Sequence, residues 1–340
     1  MYWGGDMGYL IDDLLHQAAE MNASDLHISE NGPAVVRISG MLSKFGDMIS
    51  DVYSLFEPIV PARQKNMLRE NGECDFAYAD SFGQRFRINL YRSTDGYNAA
   101  IRIIPESIPA CDELGLPETI QKFSELPNGL VLITGVTGSG KSTTLAAILN
   151  EINQNRAVHI LTLEDPVEYK FHSARSLIHQ REIGSDTINF ASGLRAALRE
   201  NPDVIAVGEL RDLETIAIAV TAAETGHLVF GTLHTRSAAE TVDRIIDVFP
   251  EQQQRQIRVQ LAGCLQAVVS QQLLPGKHGE RTAAFEIMVM TTALRNLIRE
   301  GKTQQMESYI QTGSRYGMQT MEAAVSGLKK EGKIFVNNVN

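Results

Sequence analysis

A run of apolar, β-favouring residues, Leu130-Val131-Leu132-Ile133-Thr134, leads into Gly135-Val136-Thr137-Gly138-Ser139-Gly140-Lys141-Ser142, and Thr143-Thr144-Leu145-Ala146-Ala147-Ile148-Leu149 follows with helical character. Every fixed position of the pattern G-x-x-x-x-G-K-[ST] is met, in the strand, loop and helix setting that the pattern requires. Glycines let the backbone close around an anion, so that consecutive N–H groups and the positive end of the following helix converge on phosphate. The expected phosphate-binding residues are Thr137, Gly138, Ser139, Gly140, Lys141, Ser142 and Thr143. Lys141 is placed to reach β- and γ-phosphates, and Ser142 to offer its hydroxyl to magnesium. The loop makes the chain a nucleotide-phosphate binder without naming the reaction.

At 340 residues, 43% of them hydrophobic, the chain has room for two packed domains. With 31 basic and 41 acidic residues the formal charge is −10, so stable binding to nucleic acid through general attraction is not expected. Cys74, Cys111 and Cys264 are odd in number and widely spaced, which argues against disulfides or a C-x-x-C metal site and suits reduced thiols in the cytoplasm. Met1 to Leu10 lack a basic region followed by an apolar run, so no secretory leader is expected there. No stretch is apolar over the about twenty residues a bilayer span needs, and membrane association is expected to be peripheral, through partners.

Leu10, Ile11, Leu14, Leu15, Ala18 and Met21 recur at helical spacing up to the turn Asn22-Ala23-Ser24-Asp25. Short β-like runs follow, residues 26–29 and 34–39, broken at Asn31-Gly32-Pro33. Residues 84–92 alternate Phe86, Ile88 and Leu90 inward with Arg85, Arg87 and Asn89 outward, giving a small α+β domain over 1–104 with one polar sheet face. The three prolines of 105–117 read as a linker. Over 118–340, apolar runs at 130–134, 159–163, 204–207 and 227–232 alternate with helical patterns, as in an α/β domain. From about Met290 onward the chain reads as helices broken at Gly301, Gly313 and Gly317.

Three further constellations bear on chemistry. The strand before Gly208-Glu209 puts Glu209 at a carboxyl end, where open α/β sheets place ligands, as a holder of magnesium or its water shell. Glu164-Asp165-Pro166-Val167-Glu168 closes another strand at the same edge. Carboxylates crowded near a polyphosphate repel it unless metal or arginine compensates, so a base or water-positioning role falls to Glu164 or Glu168, which spacing does not separate. His227 and His234 bracket one strand as candidate sensors of the γ-phosphate or of magnesium. Arginines gather at Arg85, Arg87, Arg92 and Arg102 and again at Arg195, Arg199 and Arg211, where planar guanidinium forks would suit phosphate oxygens.

Together these segments resemble the type II/IV secretion ATPase superfamily, and within it the type IV pilus retraction ATPases (PilT-type). Residues 135–145 look like its Walker A region, 164–168 like its Asp box, Val207-Gly208-Glu209-Leu210-Arg211-Asp212 like its atypical Walker B, and 225–235 like its His box. Ala293-Leu294-Arg295-Asn296-Leu297-Ile298-Arg299 resembles the A-I-R-N-L-I-R helix of retraction ATPases, with Leu294 the one departure. The three scattered cysteines lack the four-cysteine zinc motif typical of assembly ATPases. The resemblance implies an α/β fold in which a small N-terminal PAS-like α+β domain precedes a RecA-like P-loop ATPase domain with C-terminal helices. It further implies a homohexamer that hydrolyses ATP with Mg2+ at the inner face of the cytoplasmic membrane, where it retracts pili through an inner-membrane pilus platform protein. An assembly or secretion ATPase, a nucleotide-dependent scaffold with little turnover and a nucleic-acid translocase are the competing readings.

Overall fold

The structure is a computed structural model that describes residues 7–38, 40–105, 107–277 and 281–335. Residues 1–6 of the stretch read for a leader, Ser39 of an expected strand and Glu106 of the expected linker lie outside the described residues, as does the Leu10 side chain. The chain divides into two compact units, Met1–Ser107 and Ile108–Asn340.

In the first unit the apolar spacing of the opening residues produces the helix Met7–Glu20, which buries Ile11, Leu15 and Ala18. Six antiparallel strands follow: β1 (Asp25–Ser29), β2 (Gly32–Ile38), β3 (Met41–Ile49), β4 (Glu73–Ala79), β5 (Arg85–Ser93) and β6 (Gly96–Ile104), in the order β3-β2-β1-β6-β5-β4. Two-residue alternation works as expected in β5: Phe86, Ile88 and Leu90 are fully buried. The opposite face carries a cross-strand row in which Arg37, Asp25, Arg102 and Arg87 are register partners across β2, β1, β6 and β5. Asp25 approaches Arg37 at 3.6 Å and Arg102 at 3.7 Å, and Arg87 pairs with Asp75 at 2.8 Å.

The expected break at Asn31-Gly32-Pro33 sits earlier. The chain turns at Asn31 (φ 54°), and Pro33 lies inside β2. Proline is tolerated there because β1 begins pairing with β2 only at Val35, and a bulge separates Pro33 from Ala34 on the β3 side.

The second unit is built on a seven-stranded sheet: β7 (Gly129–Thr134), β8 (His159–Glu164), β9 (Leu177–Glu182), β10 (Val204–Val207), β11 (Leu228–Leu233), β12 (Leu265–Pro275) and β13 (Arg281–Val289), in the order β13-β12-β7-β11-β10-β8-β9. All neighbours are parallel except β12 and β13. Every residue of β7, β10 and β11 is buried, as a sheet covered by helices on both faces requires. One core gathers residues of the helices Phe190–Ala197, Leu213–Glu224, Ala238–Asp247, Glu251–Cys264 and Thr292–Glu300, and another those of Lys141–Asn155.

The apolar runs at 130–134, 159–163, 204–207 and 227–232 correspond to β7, β8, β10 and β11. Strands β9, β12 and β13 carry weaker signals. In β12 the polar residues Gln266, Ser270, Gln271 and Gln272 interrupt the apolar pattern, and the strand begins at Leu265 directly after a helix, with no glycine or proline between. Of the stretch read as a linker, Cys111 and Leu116 are buried in the core of the second unit. Beyond the sheet, Gly301 (φ 69°) ends the helix Thr292–Glu300 and Gly317 (φ 78°) precedes the final helix Met321–Lys330. The guanidinium of Arg295 donates to the carbonyl oxygens of Ala262 (2.5 Å) and Gly263 (3.0 Å), capping the C-terminal end of the helix Glu251–Cys264.

Candidate active site

The glycine-rich loop joins β7 to the helix Lys141–Asn155, and it closes tightly because Gly138 (φ 78°) and Gly140 (φ 87°) take left-handed conformations. A Cβ on Gly135 would stand 2.3 Å from the Gln271 carbonyl oxygen, so only glycine fits where the loop passes β12. The Lys141 ammonium is buried under this loop, donating to the carbonyl oxygens of Gly135 (2.6 Å) and Val136 (3.0 Å). Burial lowers its pKa, and the negative charges of Glu209 and Glu168 oppose that shift. Ser139 Oγ is buried within the loop with no hydrogen-bond partner. A helix N-terminus, a poised ammonium and an unpartnered hydroxyl are the donors that a polyphosphate accepts.

Facing the loop is a cleft lined among others by Ser142, Glu164, Glu168, Tyr169, Glu209 and Thr232. Parallel strands deliver these groups to one edge, since β7, β8, β10 and β11 all end beside it. Gly208 follows β10 where there is little room: a Cβ would meet the Leu163 carbonyl oxygen at 3.1 Å, so Glu209 emerges next to β8. The Glu209 carboxylate is 16% exposed, bonds the Arg211 guanidinium, and lies 3.1 Å from His234 Nε2. The bond to Glu209 holds the Arg211 guanidinium even more firmly in its charged form.

Glu164 is the most constrained carboxylate of the cleft. Its Oε1 accepts from Thr162 Oγ1 (2.6 Å) and Gln180 Nε2 (3.0 Å), and the Glu168 backbone N–H bonds the same carboxyl group. Burial nonetheless raises its pKa above the ordinary 4.5. Gln180 on β9 also donates to the Tyr169 carbonyl (2.8 Å) and accepts from the Phe171 amide (2.9 Å), so one side chain ties Glu164 to the chain that follows the acidic segment, while Glu182 accepts from the Val167 amide (3.1 Å) within it. The Asp165-Pro166 peptide within it is cis.

Within the second unit, Lys141, Ser142, Glu164, Glu168, Glu209, Arg211 and His234 are therefore gathered at one edge with the loop residues 137–140 and Thr143, while His227 is not. His227 lies elsewhere in the sheet: its backbone oxygen accepts from Gly129 N (3.0 Å) at the first residue of β7, which places it at the amino edge of the parallel sheet, away from the loop of its own chain. Its Nδ1 is 2.9 Å from the Ala222 carbonyl oxygen, a turn-stabilising contact. The Thr143 hydroxyl is committed to Tyr169 OH (3.0 Å). Arg195 is engaged by Glu214, and Arg199 donates to the Arg195 carbonyl (3.0 Å), both on an exposed helix end. In the first unit, Arg85, Arg87 and Arg102 lie on the polar sheet face, whereas Arg92 has the opposite strand parity and stacks 5.9 Å over the Tyr97 ring. Sequence reasoning missed Gln180, Thr162 and Gln271. Gln271 Oε1 accepts from Thr144 Oγ1 (2.8 Å) and so ties β12 to the first turn after the loop.

The residues fit a magnesium nucleotide. Ser142 and Glu209 offer hard oxygen donors in one cleft, and among the described residues there is no group of three or more His, Cys, Asp or Glu able to hold a metal. Magnesium bound with one or two protein oxygens, the rest coming from phosphate and water, matches that donor set.

The type II/IV secretion system protein family matches residues 5–280. The type IV pilus retraction ATPase PilT of Pseudomonas aeruginosa is 47% identical over 331 residues, 96% of this chain and 96% of that protein. A twitching motility protein of Neisseria gonorrhoeae is 44% identical over 342 residues, covering 98% of this chain and 90% of the relative. A crystal structure of the pilus retraction motor PilT with bound ADP aligns with a TM-score of 0.89 at 44% identity, covering 96% of this chain and 94% of that one. The chain therefore belongs to the type II/IV secretion system protein family, as a PilT-type ATPase.

Proposed function

We propose that this protein is a homohexameric motor that hydrolyses ATP with Mg2+ and retracts type IV pili, working through an inner-membrane platform protein at the cytoplasmic face. The observation that carries the reading is the convergence of Lys141, Glu164, Glu209 and His234 on one sheet edge beside the phosphate loop. Lys141 offers its ammonium to the β- and γ-phosphate oxygens. Ser142 and, through water, Glu209 would hold magnesium, which would supply charge neutralisation at the phosphates. Glu164 is the general base: three donors fix its direction, and its raised pKa lets it take a proton from water more readily than a surface carboxylate does. That water attacks the γ-phosphorus, the bond to the ADP oxygen breaks, and the proton resides on Glu164. His234 holds Glu209 in line. The helix Thr292–Glu300, with its A-L-R-N-L-I-R sequence, favours retraction over pilus assembly or secretion. Among the described residues no helix is long and apolar enough to cross a membrane.

Magnesium-dependent ATP turnover of the purified chain, with its mass in solution, tests this. Turnover by a hexamer is expected, with Lys141→Ala and Glu209→Ala each reducing kcat by about 100-fold or more while assembly survives. ATP binding without turnover, alone or with the platform protein, would discard the motor in favour of a scaffold.

A further inference from the structure

Glu286 belongs to none of the motifs, yet it is a carboxylate only 8% exposed in β13. Its Oε1 accepts the N–H of Ala238 at 2.7 Å, and Ala238 is the first residue of the helix Ala238–Asp247. The N–H of Met321, the first residue of the helix Met321–Lys330, bonds the same carboxyl group. It comes within reach because Gln319 pairs backbone to backbone with Ile287, through bonds of 2.9 and 3.2 Å, laying the segment before the last helix along β13. The positive ends of two helices, more than eighty positions apart in the chain by the numbering 238 and 321, thus meet at one buried charge.

One of those helices is tied to the catalytic edge. His234 is separated from Ala238 by three residues, and each is anchored: Thr235 Oγ1 to Thr241 Oγ1 (2.7 Å), Arg236 N to Glu240 Oε2 (2.8 Å), and Ser237 Oγ accepting from Glu240 N (3.2 Å). A loop bound this closely to the helix that follows transmits a shift of the helix start to His234, 3.1 Å from Glu209. A second tie runs through the sheet. Ser270 is the register partner of both Glu286 on β13 and Thr134 on β7, and its hydroxyl is 2.9 Å from that of Thr134, the residue before the phosphate loop.

We propose that Glu286 is a positioning residue that couples the C-terminal helix Met321–Lys330 to the ATP site: it holds Ala238, the helix of Ala238 holds the 234–237 loop, and that loop sets the contact of His234 with Glu209. A partner that displaces the last helix then changes turnover without touching nucleotide. This inference rests on the ATPase reading.

Met321→Pro tests it with little other disturbance. Proline is well tolerated at the first position of a helix, and Thr320, at φ −79° and ψ 159°, already has the extended conformation that precedes proline. The substitution removes the donated N–H and leaves Glu286 and every nucleotide-site residue in place. In the full chain kcat is expected to fall about three- to tenfold at unchanged KM for ATP, in the range of coupling carried by packed networks. Adding Glu286→Gln should cost less than the product of the two single effects, because both cut one link. Hydrogen exchange over 234–241 should quicken in Met321→Pro, with circular dichroism confirming the fold. Unchanged exchange there overturns the link, and quickened exchange with unchanged kcat overturns its bearing on turnover. Absence of ATP turnover in the unaltered chain would remove the ATPase reading instead, and exchange would still decide the link.

Discussion

His234 and His227 flank the same six-residue strand β11, and their surroundings have nothing in common. At the carboxyl end, His234 stands 3.1 Å from Glu209 and beside the phosphate loop. At the amino end, His227 closes a turn against Ala222. A strand of this length holds them roughly 20 Å apart, because each residue advances the chain by about 3.3 Å. Two residues of one type at either side of a strand are therefore not a pair. In a parallel sheet only those at the carboxyl edge share the ligand crevice, and strand polarity, not sequence distance, selects them.

The largest test of that division concerns the carboxyl edge. Glu164→Gln should lower kcat by about 100-fold or more, the usual contribution of a general base, while ATP still binds. The unaltered enzyme should lose kcat as pH falls through the raised pKa of Glu164, so its acidic limb lies above the ordinary 4.5. The sign for stability is the reverse of that for an ion-paired carboxylate. The folded chain holds this proton more tightly than the unfolded one, so the Glu164 contribution is fully present below pH 4.5 and is lost as pH rises through the raised value. Thermal midpoints against pH for Glu164→Gln should lack that decline; an identical profile would reassign the base to Glu168.

Much of this edge was legible in the sequence because the fixed positions of the loop, the acidic segment and Gly208-Glu209 each follow an apolar strand signal. What supports those groups was not. Gln180 and Gln271 sit on β9 and β12, where partner strands and not local pattern decide the conformation, and a glutamine within a strand gives no sign of its partner. Glu164 and Glu168 likewise became distinguishable only once Thr162 and Gln180 were seen to bond the former. A smaller effect follows for Gln271→Leu, which leaves the buried Thr144 hydroxyl without its acceptor. Unfolding measurements should show a loss of about 1–3 kcal/mol, with a raised KM for ATP because the first turn after the loop loosens. Unchanged stability and KM would mean that the bond is incidental to the loop.

The smallest expected effect carries the comparison back to its starting point. His227→Ala should leave kcat and KM for ATP within about twofold and cost about 1 kcal/mol of stability, the worth of one hydrogen bond to a turn carbonyl. His234→Ala, at the other end of the strand, should lower kcat several-fold without that loss. The two variants remove the same chemical group, and neither histidine is buried, so residue type does not separate them. Only the edge of the sheet does. If His227→Ala matched His234→Ala in kcat while remaining folded, the amino edge would bear on turnover, within its own chain or at the nucleotide of another. The variant would then be mixed with Lys141→Ala protein: recovery of turnover in the mixed assembly, where each supplies what the other lacks, would establish His227 as a residue acting across a subunit boundary, and no recovery would leave it acting within its own chain.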